Sequence, residues 1–87
     1  MKSVNSDEYQ NFLDCLISAR KEADVTQQEL ANRLGKPQSF VSKYENRERR
    51  LDVVEFLQIA RTLEVNPSDL LKKMEIKTPS VKIREMS

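Results

Sequence analysis

Three stretches of this chain repeat one short grammar: an apolar residue, a cap, two free positions, an acid and a second apolar residue. They are Val25-Thr26-Gln27-Gln28-Glu29-Leu30, Leu51-Asp52-Val53-Val54-Glu55-Phe56 and Val65-Asn66-Pro67-Ser68-Asp69-Leu70. In each, the side chain of Thr26, Asp52 or Asn66 can accept an orphan backbone N–H, and the acid three residues on sits near the positive helix end. The outer apolar pair can close as a hydrophobic staple. Thr26 and Glu29 match the strict Ser/Thr-x-x-Glu capping box, and the other two are variants. Pro67 fits the first helical position, where its missing N–H costs nothing.

Two more helices follow from periodicity. Tyr9, Phe12, Leu13, Leu16, Ala19 and Ala23 follow the i, i+3, i+4 stripe of an amphipathic helix that starts near Ser6 and ends around Ala23-Asp24. Pro37 opens another, with Val41 and Tyr44 three apart on one face. The spacing predicts helices over about 7–23, 26–34, 37–45, 52–64 and 67–73. Val81-Lys82-Ile83-Arg84 is the only run that alternates like a strand. The fold expected is all-α. Residues 1–6 are read as an N-terminal tail, 7–73 as the domain, and 74–87 as a C-terminal tail and candidate dimer-forming segment.

Composition narrows the function classes. Eighty-seven residues, 38% apolar and 33% charged, suit one small globular domain. One Gly and three Pro exclude a Gly/Pro-rich linker protein, and five aromatic residues make a poor stacking platform. No run reaches the ~18–20 apolar residues that span a bilayer, and no charged-then-apolar leader opens the sequence. One Cys and no His exclude a disulfide framework and a His/Cys zinc cluster. The chain is therefore expected to be cytoplasmic, without metal, cofactor or membrane attachment. Without His or a glycine-rich phosphate loop, and with little core to spare for a buried site, an enzyme is disfavoured and no small-molecule pocket is expected.

The net charge of +1 hides segregation. Residues 36–50 carry five bases (Lys36, Lys43, Arg47, Arg49, Arg50) against two acids, while 7–24 and 51–71 are both acidic. A basic stretch between acidic ones is the sequence form of a one-sided anion-binding surface, or of an ordinary solvated loop.

The second and third helices are joined tightly through Gly35-Lys36. Ala31 is small where another helix must cross, and Gly35 can take a positive φ at the bend. Val41 then points back under the preceding helix, with Leu30, Leu34 and Tyr44 completing the seam. That is the grammar of a helix-turn-helix. Here the chain resembles the Cro/phage-repressor (XRE-type) family over roughly Leu16 to Leu71. The residues that carry the resemblance are Arg20, the run Thr26 to Ala31, Gly35, the run Pro37 to Asn46, Ile59-Ala60 and Leu63-Glu64-Val65.

The resemblance implies a compact five-helix, lambda-repressor-like domain that binds double-stranded DNA, commonly as a homodimer. It implies that Gln38 and Ser39 read bases, with Ser42 and Lys43 one turn later on the same face. Gln27 would hold the DNA backbone and brace the recognition helix, and Asn46 with the following loop would contact phosphates. Arg20 and Glu45 would form a structural ion pair. The residue chemistry agrees: Gln can pair with an adenine edge, Lys can reach guanine acceptors, and Ser can contact several bases. Lys36, Arg47, Arg49 and Arg50 are further candidates for the DNA backbone.

Bland alternatives stand beside these. Lys43 could serve only solubility, Phe40 could pack or touch a thymine methyl, with packing preferred, and Cys15 reads as an inert structural thiol. Family members usually place Gly where this chain has Arg47 and often where it has Asp24, so Asn46 is expected to take the left-handed turn after the third helix. Leu70 reads as core, whereas Leu71, Met74 and Ile76 are candidates for a dimer interface. Lys72, Lys73, Lys77, Lys82 and Arg84 could instead touch flanking phosphates. The main expectation is a sequence-specific transcriptional regulator on a palindromic operator. The alternative is a protein-interaction module, antitoxin- or antagonist-like, that keeps the fold with little DNA binding and acts through a protein partner.

Overall fold

A computed structural model describes residues 3–76, with side chains from residue 7 to residue 74. Five helices follow one another: α1 Ser3–Glu22, α2 Gln27–Leu34, α3 Gln38–Glu45, α4 Val53–Thr62 and α5 Pro67–Ile76. No strand occurs among the described residues. α1 begins inside the stretch read as a tail, and α5 runs past residue 73. The alternating run 81–84 and the rest of the tail from residue 77 lie outside the described residues.

The caps form as the sequence grammar requires. Glu29 N–H donates to Thr26 Oγ1 at 3.0 Å, and Thr26 N–H donates to Glu29 Oε1 at 2.9 Å. The same reciprocal box closes at α4 through Asp52 and Glu55, at 2.8 and 3.0 Å, so this variant works as a full capping box. Asn66 accepts the Ser68 N–H at 2.8 Å and starts α5. α3 differs. Its N-cap is Pro37, in extended geometry and without a side-chain cap.

The first four helices also share one ending. Asp24, Gly35, Arg47 and Glu64 stand at positive φ, between 62° and 72°. At each, that residue's N–H donates three residues back and the next N–H donates five back, as in Gly35 to Asn32 at 3.1 Å and Lys36 to Ala31 at 2.9 Å. This is the Schellman pattern, which satisfies carbonyls left open at a helix end. It corrects the expectation for Asn46, whose φ is −91°; Arg47 itself makes the turn. The hydrogen-bond register places the left-handed residue one position later than expected, and the ladder overrides residue preference.

These turns fold α1, α4 and α5 around the α2–α3 pair. Leu13 and Leu16 of α1, Leu30 and Ala31 of α2, Val41 and Tyr44 of α3 and Ile59 of α4 are essentially inaccessible. Each large one contributes ~1.5–3 kcal/mol by burial. Ala31 and Val41 fill the α2–α3 seam as the small-residue spacing requires, and Leu34 is half-buried beside them. Phe40 and Leu70 are core, and Cys15 packs half-buried against it. Ala23 is exposed and leaves the predicted stripe, because α1 stops at Glu22 and the chain reverses at Asp24. The Tyr44 hydroxyl is buried with no hydrogen-bond partner, and burial pushes its pKa well up.

The four turns make an opposed pair of stability predictions. A Cβ at Gly35 would meet nothing within 4 Å, so Gly35→Ala carries only the positive-φ penalty and is expected to destabilise by ~1–2 kcal/mol. Glu64→Gly relieves the same penalty at an exposed position and should stabilise by up to ~1 kcal/mol. Urea denaturation of the two variants beside the parent protein measures both signs.

Candidate nucleic-acid interface

α3 has two faces. Phe40, Val41 and Tyr44 are buried, whereas Gln38, Ser39 and Lys43 are exposed and Ser42 is half-buried. The Ser42 hydroxyl donates to Ser39 O at 3.3 Å. The residues at positions 38, 39, 42 and 43 therefore form one polar edge, opposite the residues that hold the helix to the core.

That edge is tied inward by a chain of hydrogen bonds. Arg20 is 9% exposed and grips the Glu45 carboxylate with two nitrogens, Nε to Oε2 at 2.8 Å and Nη2 to Oε1 at 3.1 Å. Its Nη1 donates to Val25 O at 2.9 Å, so this one side chain ties α1, the α1–α2 turn and the end of α3 together. Hydrogen bonding to Glu45 raises the Arg20 pKa further, against the opposing effect of burial. Gln27 Nε2 donates to Glu45 Oε1 at 2.8 Å, and Gln38 Nε2 donates to Gln27 Oε1 at 3.1 Å. A carboxylate only accepts, so Glu45 forces the Gln27 amide to turn its NH2 inward and its oxygen toward Gln38. Gln38 then keeps its own Oε1 and one N–H for an outside partner. At the start of α3 the uncapped backbone leaves donors for an outside acceptor, where the helix dipole also favours an anion.

Asn46 and the basic residues around this edge are placed differently from one another. Lys36 and Asn46 are exposed, and Lys36 Nζ lies 5.1 Å from the centre of the Phe40 ring. Arg47 is exposed, and its Nη1 donates to Gln10 Oε1 on α1 at 2.7 Å. Arg50 is exposed and lies over the Tyr9 ring at 4.2 Å. The Tyr9 hydroxyl accepts the Leu51 N–H at 3.1 Å. Arg49 is half-buried in a two-pronged pair with Glu55 at 3.0 and 2.8 Å, and its guanidinium lies 4.7 Å from the Phe40 centroid. Arg49 and the Asp52 N–H pull the Glu55 carboxyl down to about 2. Tyr9, Gln10 and Glu55 were not legible as partners of this loop. Glu55 carried only a capping signal, and nothing local announces that α1 reaches residues 47–51.

Away from this edge, Leu71 is exposed and Met74 half-buried, while the side chain of Ile76 lies outside the described set. Val53 and Val54 are 70% and 61% exposed beside a groove of about 440 Å³ lined mainly by Phe12, Leu51, Phe56, Leu57, Pro67 and Leu71. The sequence pattern read the two valines only as free positions in a cap.

A bent pair of helices with one anchored and one exposed edge on the second is the helix-turn-helix arrangement. A family model described as helix-turn-helix matches residues 16–70. A solved structure described as an XRE-family like protein from Pseudomonas syringae pv. tomato str. DC3000 is 54% identical in sequence. It superposes with a TM-score of 0.85 over 90% of this chain and 95% of that one. No curated protein matches the chain. The chain belongs to the XRE-type helix-turn-helix family, whose members are typically non-enzymatic DNA-binding regulators. No helix among the described residues is long and apolar enough to cross a membrane.

Glu55 makes stability depend on pH. Its carboxyl is depressed in the folded state, so its contribution is complete above the ordinary Glu pKa of ~4.3 and fades as pH falls toward about 2. Glu55→Gln should flatten the fall in melting temperature over that window while lowering it near neutral pH. Thermal unfolding between pH 7 and 2 checks this.

Proposed function

We propose that this protein is a sequence-specific double-stranded DNA-binding transcriptional regulator that works in the cytoplasm as a homodimer on a palindromic operator, with α3 in the major groove. The observation that carries this reading is the exposed Gln38 amide, held by Gln27 and, through it, by Glu45 and Arg20. An adenine edge needs one acceptor and one N–H from Gln, and those are the two groups Gln38 keeps free. Its bond to Gln27 can therefore persist while it reads a base. Ser39, Ser42 and Lys43 extend the edge along the groove. In this reading Gln27, Lys36, Asn46, Arg47 and Arg50 contact the flanking phosphates.

A single recognition helix covers only ~4–5 base pairs, so two-fold pairing supplies the remaining specificity. Leu71 and Val53, which line one groove, and the exposed Val54 present apolar surface that a second copy would cover. The protein-interaction reading keeps one favourable observation: Arg47, Arg49 and Arg50 each touch a group of the chain itself.

Sequence selection from random duplexes with the purified protein tests the main reading. Enrichment of a palindrome is expected, whereas no enrichment beside a stable protein complex supports the alternative. On the winning duplex, Gln38→Ala should lose ~1–3 kcal/mol of discrimination at one base position in each half-site. Lys36→Ala should weaken all sequences alike and reduce the salt slope by ~1. Leu71→Glu should shift sedimentation toward monomer and weaken binding to the full palindrome more than to a half-site.

A further inference from the structure

We infer that Arg49 is a positioning residue, a brace that holds α3 and the loop after it in reading position, and not one of the cations that bind phosphate. The inference rests on the DNA-binding reading and refines the role of one residue within it.

Arg49 is the most committed of the cations in this loop. One guanidinium end donates to Glu55 Oε1 at 3.0 Å and to Arg50 O at 3.1 Å, and the other donates to Glu55 Oε2 at 2.8 Å. Its charge faces a carboxylate at fixed, two-pronged geometry, which suits Arg far better than Lys. Its flat face covers Phe40, which lies two residues beyond Gln38 on α3 and is 9% exposed. Glu55 in turn accepts the Asp52 N–H and so belongs to the α4 cap. The start of α4, the loop and the first turn of α3 thus form one connected unit through Arg49. It mirrors Arg20, which holds Glu45 at the other end of the same helix. A phosphate that took the edge of Arg49 now facing Glu55 would separate the two, uncover Phe40 and release the loop that carries Asn46 and Arg50.

The two roles predict opposite effects for a change that leaves Arg49 in place. Glu55→Gln removes the carboxylate charge, yet Gln at this position can still complete the capping box. If Arg49 binds phosphate, freeing it from Glu55 tightens binding or leaves it unchanged, and Arg49→Lys keeps most of the affinity. If Arg49 is a brace, both variants weaken binding to the selected duplex by about three- to tenfold with an unchanged salt slope. The double variant is then no worse than either single one. A Glu55→Gln protein that binds as well as the parent, beside an Arg49→Ala protein whose salt slope drops by ~1, overturns the brace.

Amide hydrogen exchange on the free protein gives a reading that needs no duplex. Both conservative variants should speed exchange across residues 40–44, and unchanged rates there also overturn the proposal. A selection that enriches nothing counts against the DNA-binding reading. Hydrogen exchange still decides the brace.

Discussion

The interaction on which the rest of this structure depends is the hold of Arg20 on Glu45. It joins the end of the first helix to the end of the third, in a place where both side chains are nearly removed from water. A buried carboxylate with one partner would be poorly compensated. Here Glu45 accepts from Arg20 and Gln27, while Arg20 satisfies a third bond at Val25 O. Charge, hydrogen bonds and backbone therefore close together, and α3 cannot roll about its axis without breaking several of them. That immobility gives the exposed edge its meaning. A glutamine on a rolling helix offers an amide in any orientation, whereas Gln38 offers one.

The same logic explains how a small core can present a precise surface. Every side chain spent on the polar edge of α3 is unavailable to the core. Stability must come from the opposite edge of α3 and from the helices around it. Val41 and Tyr44 provide that edge and are fully buried. Three of the four left-handed turns are made by residues other than Gly, each at some conformational expense. The register of the Schellman hydrogen bonds and the packing beyond each turn outweigh it. Arg47 shows the balance well: it bends the backbone after α3 while its side chain crosses to Gln10 on α1.

Much of the local structure was legible. Thr26, Asp52 and Asn66 cap helices where the pattern said they would, Gly35 turns where a missing Cβ is needed, and Val41 is buried where the helix-turn-helix spacing demanded it. The two-sided character of α3 was legible as well, because its exposed and buried residues separate cleanly by helical period. What failed has a common cause. Ala23 continued the α1 stripe but fell past the helix end, and Asn46 suited the left-handed turn but stood one residue too early. In each case local character was right and the register was decided elsewhere.

The sequence by itself determined where helices start, which side of each faces inward, and which polar residues stand on the edge of α3. Those properties depend on neighbours within about one helical turn, through hydrogen bonds to caps and through side-chain period. Only the tertiary structure decided which cations are free. Lys36 remains open to solvent, whereas Arg49 is paired with Glu55 and Arg47 with Gln10, a residue far back in the chain. A charge in a sequence has no partner until folding brings one within hydrogen-bonding distance, so the chemistry of the 46–51 loop had to wait for α1 and α4 to close on it.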